Sequence, residues 1–210
     1  MPGRAACCAA LADVGPVTIR SLTRSQAERR QRVIDAAMTL AADGGYEAVQ
    51  MRDVASTAGV ALGTIYRYFT SKDHLLAAAM VEWSVDLEER GPDDSTNGST
   101  PADRMVDVLR HVTSGMERRP RLAEALITAM TAKDAAVVEC QREVTDTITR
   151  VLAIPIADLP AGLSDGVVRV LVHVWHSVNL GWVNGWKSVG DIGDELEEAA
   201  RLLLRDASAS

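Results

Sequence analysis

Apolar positions recur at intervals of three and four along most of this chain, and no period of two persists long enough to mark a strand. From Gln26 to Ala42, the positions Val33, Ile34, Ala37, Met38, Leu40 and Ala41 predict a first helix, and DGGY at 43–46 supplies its C-cap and turn. Val49 to Ala58 predicts a short second helix with Met51, Val54 and Ala55 on one face. Gly59 then permits a sharp turn into a third, Ala61 to Tyr68. Ser71 is placed to cap a fourth helix with Asp73 in its first turn, and Leu75, Leu76, Ala79, Met80, Trp83 and Leu87 give that helix a long apolar stripe. RGPDDSTNGSTP, residues 90–101, reads as an exposed loop rich in helix breakers. Helical patterns resume at about 102–118, 121–131, 134–153, 164–186 and 192–205, separated by Pro120, the IPIADLPAG segment and the Gly190 region.

The expected fold is therefore all-α. Residues 1–20, with Pro, Gly and small residues but no sustained period, are expected to form a flexible extension. Residues 21–70 are expected to form a three-helix unit and residues 71–210 a larger helical bundle. A chain of 210 residues with 47% hydrophobic positions can fill such a core. No apolar run reaches the roughly 20 residues of a membrane span. Asp13, Gly15 and Pro16 interrupt the only stretch resembling a signal peptide, so a cytoplasmic location without membrane partners is expected. Cys7, Cys8 and Cys140 have the spacing of neither a disulfide framework nor a structural zinc site.

Charge adds what periodicity does not. The formal net charge is −7, which argues mildly against a nucleic-acid binder, but residues 20–72 carry eight basic side chains against five acidic ones. One end of the molecule can thus face phosphates while the rest keeps it soluble. Within that end, a short helix, a glycine turn and a second short helix rich in polar residues make a helix-turn-helix, whose second helix enters the major groove. Ala61 and Gly63 keep its leading turn slim, Thr64 can meet a base or a thymine methyl, and Arg67 can reach a base or a phosphate. The hydroxyls of Tyr66 and Tyr68 can donate to phosphate oxygens, and Lys72 can hold one phosphate from the start of the following helix. Interior packing is a second role open to Tyr66, since tyrosine is amphipathic.

TAGVALGTIYRYFTSKDHLL, residues 57–76, resembles the DNA-binding signature of TetR-type transcriptional regulators, and RRQRVIDAAMTLAADGGYEAVQMRDVA before it is similar to that family's first two helices. The resemblance covers roughly residues 26–80. It implies a homodimer on a nearly palindromic double-stranded operator, with a hydrophobic ligand in each helical bundle altering the spacing of two reading heads. It also implies that Arg52 reaches a base or the backbone from the second helix, that Gly63, Thr64 and Arg67 lie near base edges, and that Tyr66, Tyr68 and Lys72 hold DNA. GGYEAVQMRDVA, GTIYRYFTSKDHLL and RRPRLAEALITAM further resemble the actinobacterial branch that represses sterol and cholesterol catabolism, whose members respond to acyl-CoA thioesters of steroid intermediates.

The bundle offers a separate set of candidates. Trp175, Val178 and Trp182 recur at three- and four-residue steps, as bundle core or a dimer seam would require. The sharper reading makes Met105, Met116, Leu122, Met130, Trp175, Val178 and Trp182 the wall of an elongated apolar pocket, with Asn179 or His176 as its polar handle. His173 and His176 lack the His-Glu-x-x-His pattern, and neither a Gly-x-Ser-x-Gly serine nor a phosphate loop is present. Neither catalysis nor a cofactor or metal is expected. An acidic helical module binding only other proteins is the alternative, and it explains the Thr64–Lys72 cluster only if that cluster is its contact face.

Overall fold

The computed structural model describes residues 23–91 and 100–208; the expected extension over 1–20 and most of the expected loop over 90–101 lie outside them. Among the described residues all regular structure is helical: α1 (Arg24–Ala48), α2 (Met51–Ala58), α3 (Leu62–Ile65), α4 (Lys72–Arg90), α5 (Pro101–Arg118), α6 (Pro120–Ala129), α7 (Ala135–Ala153), α8 (Ala161–Val183) and α9 (Val189–Leu203), with short 3-10 turns at Ile154–Ile156 and Asp206–Ser208. They divide into two compact units. The first takes the described residues up to Trp83 together with Arg121–Val144, and the second takes Ser84–Pro120 and the chain from Thr145 onward. None of these helices is long and apolar enough to cross a membrane, and no described group of three or more His, Cys, Asp or Glu could hold a metal ion.

In the first unit, α1 opens with a capping box. Thr23 Oγ1 accepts from the Gln26 N–H at 3.3 Å while the Gln26 side chain accepts from the Thr23 N–H at 2.8 Å, satisfying two orphan donors. The element continues past the expected end at Ala42, but Gly45 breaks its helical line at φ 72° and ψ −167°, inside the predicted DGGY turn. Its buried face comprises Val33, Ile34, Ala36, Ala37 and Ala41.

Gly59 caps α2 in the left-handed region at φ 64° and ψ 39°. A Cβ built there meets no heavy atom within 4 Å, so only backbone strain opposes a side chain. Gly59→Ala is therefore expected to destabilise the first unit by about 1 to 2 kcal/mol, and Gly59→Asn by less, in urea denaturation followed by hydrogen exchange at α2.

The third helix is shorter than its pattern predicts. The Tyr68 N–H bonds Ile65 O at 2.8 Å, a three-residue closure that turns Tyr66–Tyr68 out of the α-helix. Ser71 caps α4 as expected, its Oγ accepting from the His74 N–H at 3.0 Å. Beyond the cap, Leu75, Leu76, Ala77, Ala78 and Ala79 are all fully buried instead of forming one stripe, because the three alanines let neighbours approach from every side. Both carboxylate oxygens of Glu82 on α4 are engaged by α1, one by Arg30 Nη1 and one by Gln31 Nε2, each at 2.7 Å. Arg121 Nη1 donates to Asp43 O at 2.8 Å, near the glycine break. Cys140 on α7 is buried.

In the second unit, α9 packs against both α5 and α8. Met105, Leu109 and Met116 of α5, Leu171 and Val178 of α8, and Ile192, Leu196 and Ala200 of α9 are buried. Arg110 and Glu197 (2.7 Å) and Arg201 and Asp103 (3.2 Å) bridge α5 and α9 at the surface. Arg104 fastens the 3-10 turn to α5, donating to Pro155 O at 2.8 Å and to both oxygens of Asp158 at 2.7 and 2.8 Å. Beyond the Asn184 C-cap of α8, Gly185 takes φ 79°, after which the Trp186 N–H returns to Gly181 O at 3.1 Å. Trp186 thereby folds over Gly181, where a Cβ would lie 2.8 Å from its ring, and stays 63% exposed, outside the core of its unit.

Candidate nucleic-acid interface

Ile65 and Phe69 point inward, at 0% and 1% exposure, and fix which side of α3 and the following turn remains outside. That outer side carries Ala61, Gly63, Tyr66 and Arg67 exposed, with Thr64 and Tyr68 half-buried beside them; Arg52 is exposed on α2 across the Gly59 turn. Tyr66, for which packing and contact were both open, is 49% exposed. Ala61 occupies the N-cap of α3 with no side chain to close over the helix start, and a Cβ built on Gly63 meets no heavy atom within 4 Å. The leading edge of α3 is thus as slim as its composition predicts, and a partner surface could approach its backbone closely.

Lys72 is placed differently from the other candidates. Its side chain is half-buried, with Nζ 3.6 Å from the centroid of the Tyr46 ring and donating to Tyr46 O at 3.3 Å. The Tyr46 hydroxyl donates in turn to Asp73 Oδ1 at 2.5 Å. Burial first, and then this hydrogen bond, hold the phenol well above its ordinary pKa, so it remains a donor across the neutral range.

Behind the interface, Phe69 is gripped from two sides: the Arg30 guanidinium lies 5.3 Å from its ring centroid, and the His74 ring meets it edge-on at 5.5 Å. His74 Nδ1 accepts from the Thr70 N–H at 3.1 Å. Tyr46, Phe69, Arg30 and Asp73 were absent from the sequence-derived candidates. The DGGY motif marked Tyr46 only as part of a turn, although Phe69, the one phenylalanine of the chain, carried a compositional signal.

The bundle candidates divide between the units. Met105 and Met116 on α5, and Trp175, Val178 and Asn179 on α8, are buried in the second unit, with Trp182 half-buried one turn further on. Leu122 is buried and Met130 half-buried in the first unit. Asn179 Nδ2 donates to Trp175 O at 2.8 Å, which fixes the orientation of the amide and leaves Oδ1 buried without a partner among the described residues. His173 and His176 both lie exposed on α8.

Comparison with known proteins accounts for both ends of the chain. Residues 33–79 match the model of the bacterial regulatory proteins of the tetR family, and residues 98–203 match that of a tetracyclin repressor-like C-terminal domain. The HTH-type transcriptional repressor KstR of Rhodococcus jostii (strain RHA1) is 39% identical over 187 residues, covering 89% of this chain and 87% of the relative. A TetR transcriptional regulator from Rhodococcus sp. RHA1, solved by crystallography, superposes with a TM-score of 0.71 at 32% identity, covering 86% of this chain and 98% of that one. At the level of fold alone, so does Thermus thermophilus FadR, a repressor crystallised with lauroyl-CoA, with a TM-score of 0.66 at 22% identity over 83% of this chain and 93% of that one. With family models matching at both ends and a relative of this identity over nearly its full length, the chain belongs to the TetR family of transcriptional regulators.

Proposed function

We propose that this chain is a homodimeric repressor whose reading heads, within residues 21–70, occupy successive major grooves of a palindromic operator about 34–36 Å apart, and that an apolar effector in the bundle of residues 71–210 releases it. The observation that carries this reading is the slim, exposed outer side of α3, with Arg52 and Arg67 flanking it and Ile65 and Phe69 anchoring it from behind. Arg67 reads a base edge, Arg52, Tyr66 and Tyr68 hold the backbone, Ala61, Gly63 and Thr64 lie against the bases, and Lys72 neutralises one phosphate.

The similarity to KstR and the quoted motifs support genes of steroid or other lipid catabolism as the target, and the lauroyl-CoA of the FadR structure supports an acyl-CoA thioester as effector. Asn179 supplies its polar handle through Oδ1, so the effector group that meets it there donates a hydrogen bond. Effector and operator weaken each other by the same factor.

The test is a titration against the duplex upstream of the chain's own gene and a scrambled control, at fixed salt, with and without steroid-type and long-chain acyl-CoA thioesters. Tight selective binding released by one thioester is expected; absence of selectivity on this and every genomic fragment would return the protein-binding alternative. Arg67→Ala is expected to lower operator affinity by about 1 to 3 kcal/mol while leaving scrambled DNA little changed, and Lys72→Ala to weaken both. Equal losses on both duplexes for Arg67→Ala would remove its base-reading role.

Gly63→Ala gives an independent check. The methyl has open space in the free protein and should stabilise α3 by up to about 1 kcal/mol. Any fall in operator affinity in this variant, measured beside its melting curve, reports how closely DNA approaches the helix.

A further inference from the structure

We propose that Tyr46 is a positioning residue for DNA binding, holding the Lys72 ammonium ready for a backbone phosphate and keeping the neighbouring Asp73 carboxylate from taking it. The inference rests on the reading of Lys72 as a phosphate contact. A free lysine side chain loses about 1.5 to 2 kcal/mol of rotamer freedom when it is fixed. Here Tyr46 fixes it beforehand at two points, the ring face 3.6 Å from Nζ and the carbonyl oxygen at 3.3 Å. One ammonium proton is committed to that carbonyl, and the other two can serve an incoming oxygen.

Among the described residues Lys72 forms no ion pair, although Asp73 adjoins it in sequence. The nearby carboxylate is engaged by the Tyr46 hydroxyl at 2.5 Å. Tyr46 therefore orders the cation through its ring and backbone carbonyl while its hydroxyl engages the adjacent Asp73 carboxylate.

A double-mutant cycle tests this in the full-length protein, with affinities for matched and scrambled duplexes measured between about 50 and 200 mM salt. Lys72→Ala is expected to weaken both and to reduce the salt slope on the operator by about 1.8, one phosphate's share for each protomer. Tyr46→Leu is expected to weaken both by about 10- to 30-fold per protomer, the equivalent of re-ordering one lysine, with the slope retained and with no further loss in the Lys72→Ala background. Tyr46→Phe, which keeps the ring but releases Asp73, is expected to recover only part of the loss; full recovery would remove the role given to the hydroxyl.

Equal losses from Tyr46→Leu in both backgrounds would make Tyr46 merely structural and overturn the inference, as would no loss at all. An unchanged salt slope in Lys72→Ala would instead remove the phosphate contact on which it rests.

Should Tyr46→Leu not fold, the wild type still decides. The chain has only three lysines, Lys72, Lys133 and Lys187. In a carbon-13 lysine spectrum assigned with Lys72→Arg, the Lys72 ε-protons should be shifted upfield of those of Lys133 by the Tyr46 ring, and an unshifted signal overturns the inference.

Discussion

Leu180→Glu is expected to leave each protomer folded while lowering operator affinity by about 100-fold or more. Leu180 is 50% exposed on α8, where Leu163 and Val170 are also exposed. At 3.6 residues per turn these three fall within an arc of about 100°, the width of an apolar stripe made to be covered. On α9, Leu202 is 55% exposed, in an open groove lined also by Asp194, Glu197, Glu198, Arg201 and Arg205. Both signs of charge on one helix face suit a twofold contact in which each copy meets the other's opposite charges.

In the proposed dimer a glutamate at 180 brings two like charges into an apolar seam and desolvates both. Its cost to the isolated protomer is small, within about 0.5 kcal/mol, because the position is open there. A monomer engages one half-site and forfeits the avidity of two, a factor of about 10² to 10⁴. Sedimentation velocity and fluorescence anisotropy on the same preparation check the two halves of the expectation. A variant that stays dimeric with full affinity would place the seam elsewhere.

Helix positions were legible because periodicity and caps both act locally. Ser71 and the glycines of DGGY announce their boundaries within four residues, and the structure places a cap and a break there. The ends that moved did so for reasons equally local but weaker. At α3 the three-residue closure onto Ile65 competes with continuation of the helix, and the Thr131 N–H bonds Thr128 O at 3.0 Å, ending α6 two residues before its apolar pattern does.

Pairings across the fold were not legible. Tyr46 and Lys72 stand 26 residues apart, and Arg30 and Glu82 stand 52 apart. A period says which face of a helix is buried but not which residue it meets. The exposed outer side of α3 could be read because exposure follows from the same period. The bundle candidates could not be sorted, since a buried methionine such as Met105 repeats along the helix in the same way whether it fills a core or lines a pocket.

Phe69→Ala is expected to have the largest effect on stability, about 3 to 5 kcal/mol, and to abolish specific binding without touching a DNA-facing residue. Phe69 is 1% exposed and lies directly after the turn that ends α3, its N–H bonded to Ile65 O at 2.9 Å. Truncation removes the apolar area that anchors the reading helix and leaves a cavity in a unit whose core is already small. It also withdraws the ring beneath the Arg30 guanidinium, whose Nε is buried without a partner among the described residues, so the partly buried cation loses contact on one side while Glu82 still holds it on the other.

Phe69→Leu separates these contributions. It keeps most of the volume and should cost less than about 1.5 kcal/mol of packing, so a greater loss measures what the aromatic ring gives Arg30 and His74. Urea denaturation by far-UV circular dichroism, with hydrogen exchange at α3 to assign the loss to the first unit, gives both values. If Phe69→Ala retained operator affinity and α3 protection, the reading helix would be held by something other than this contact, and the exposed outer side of α3 would have lost the anchor that explains its orientation.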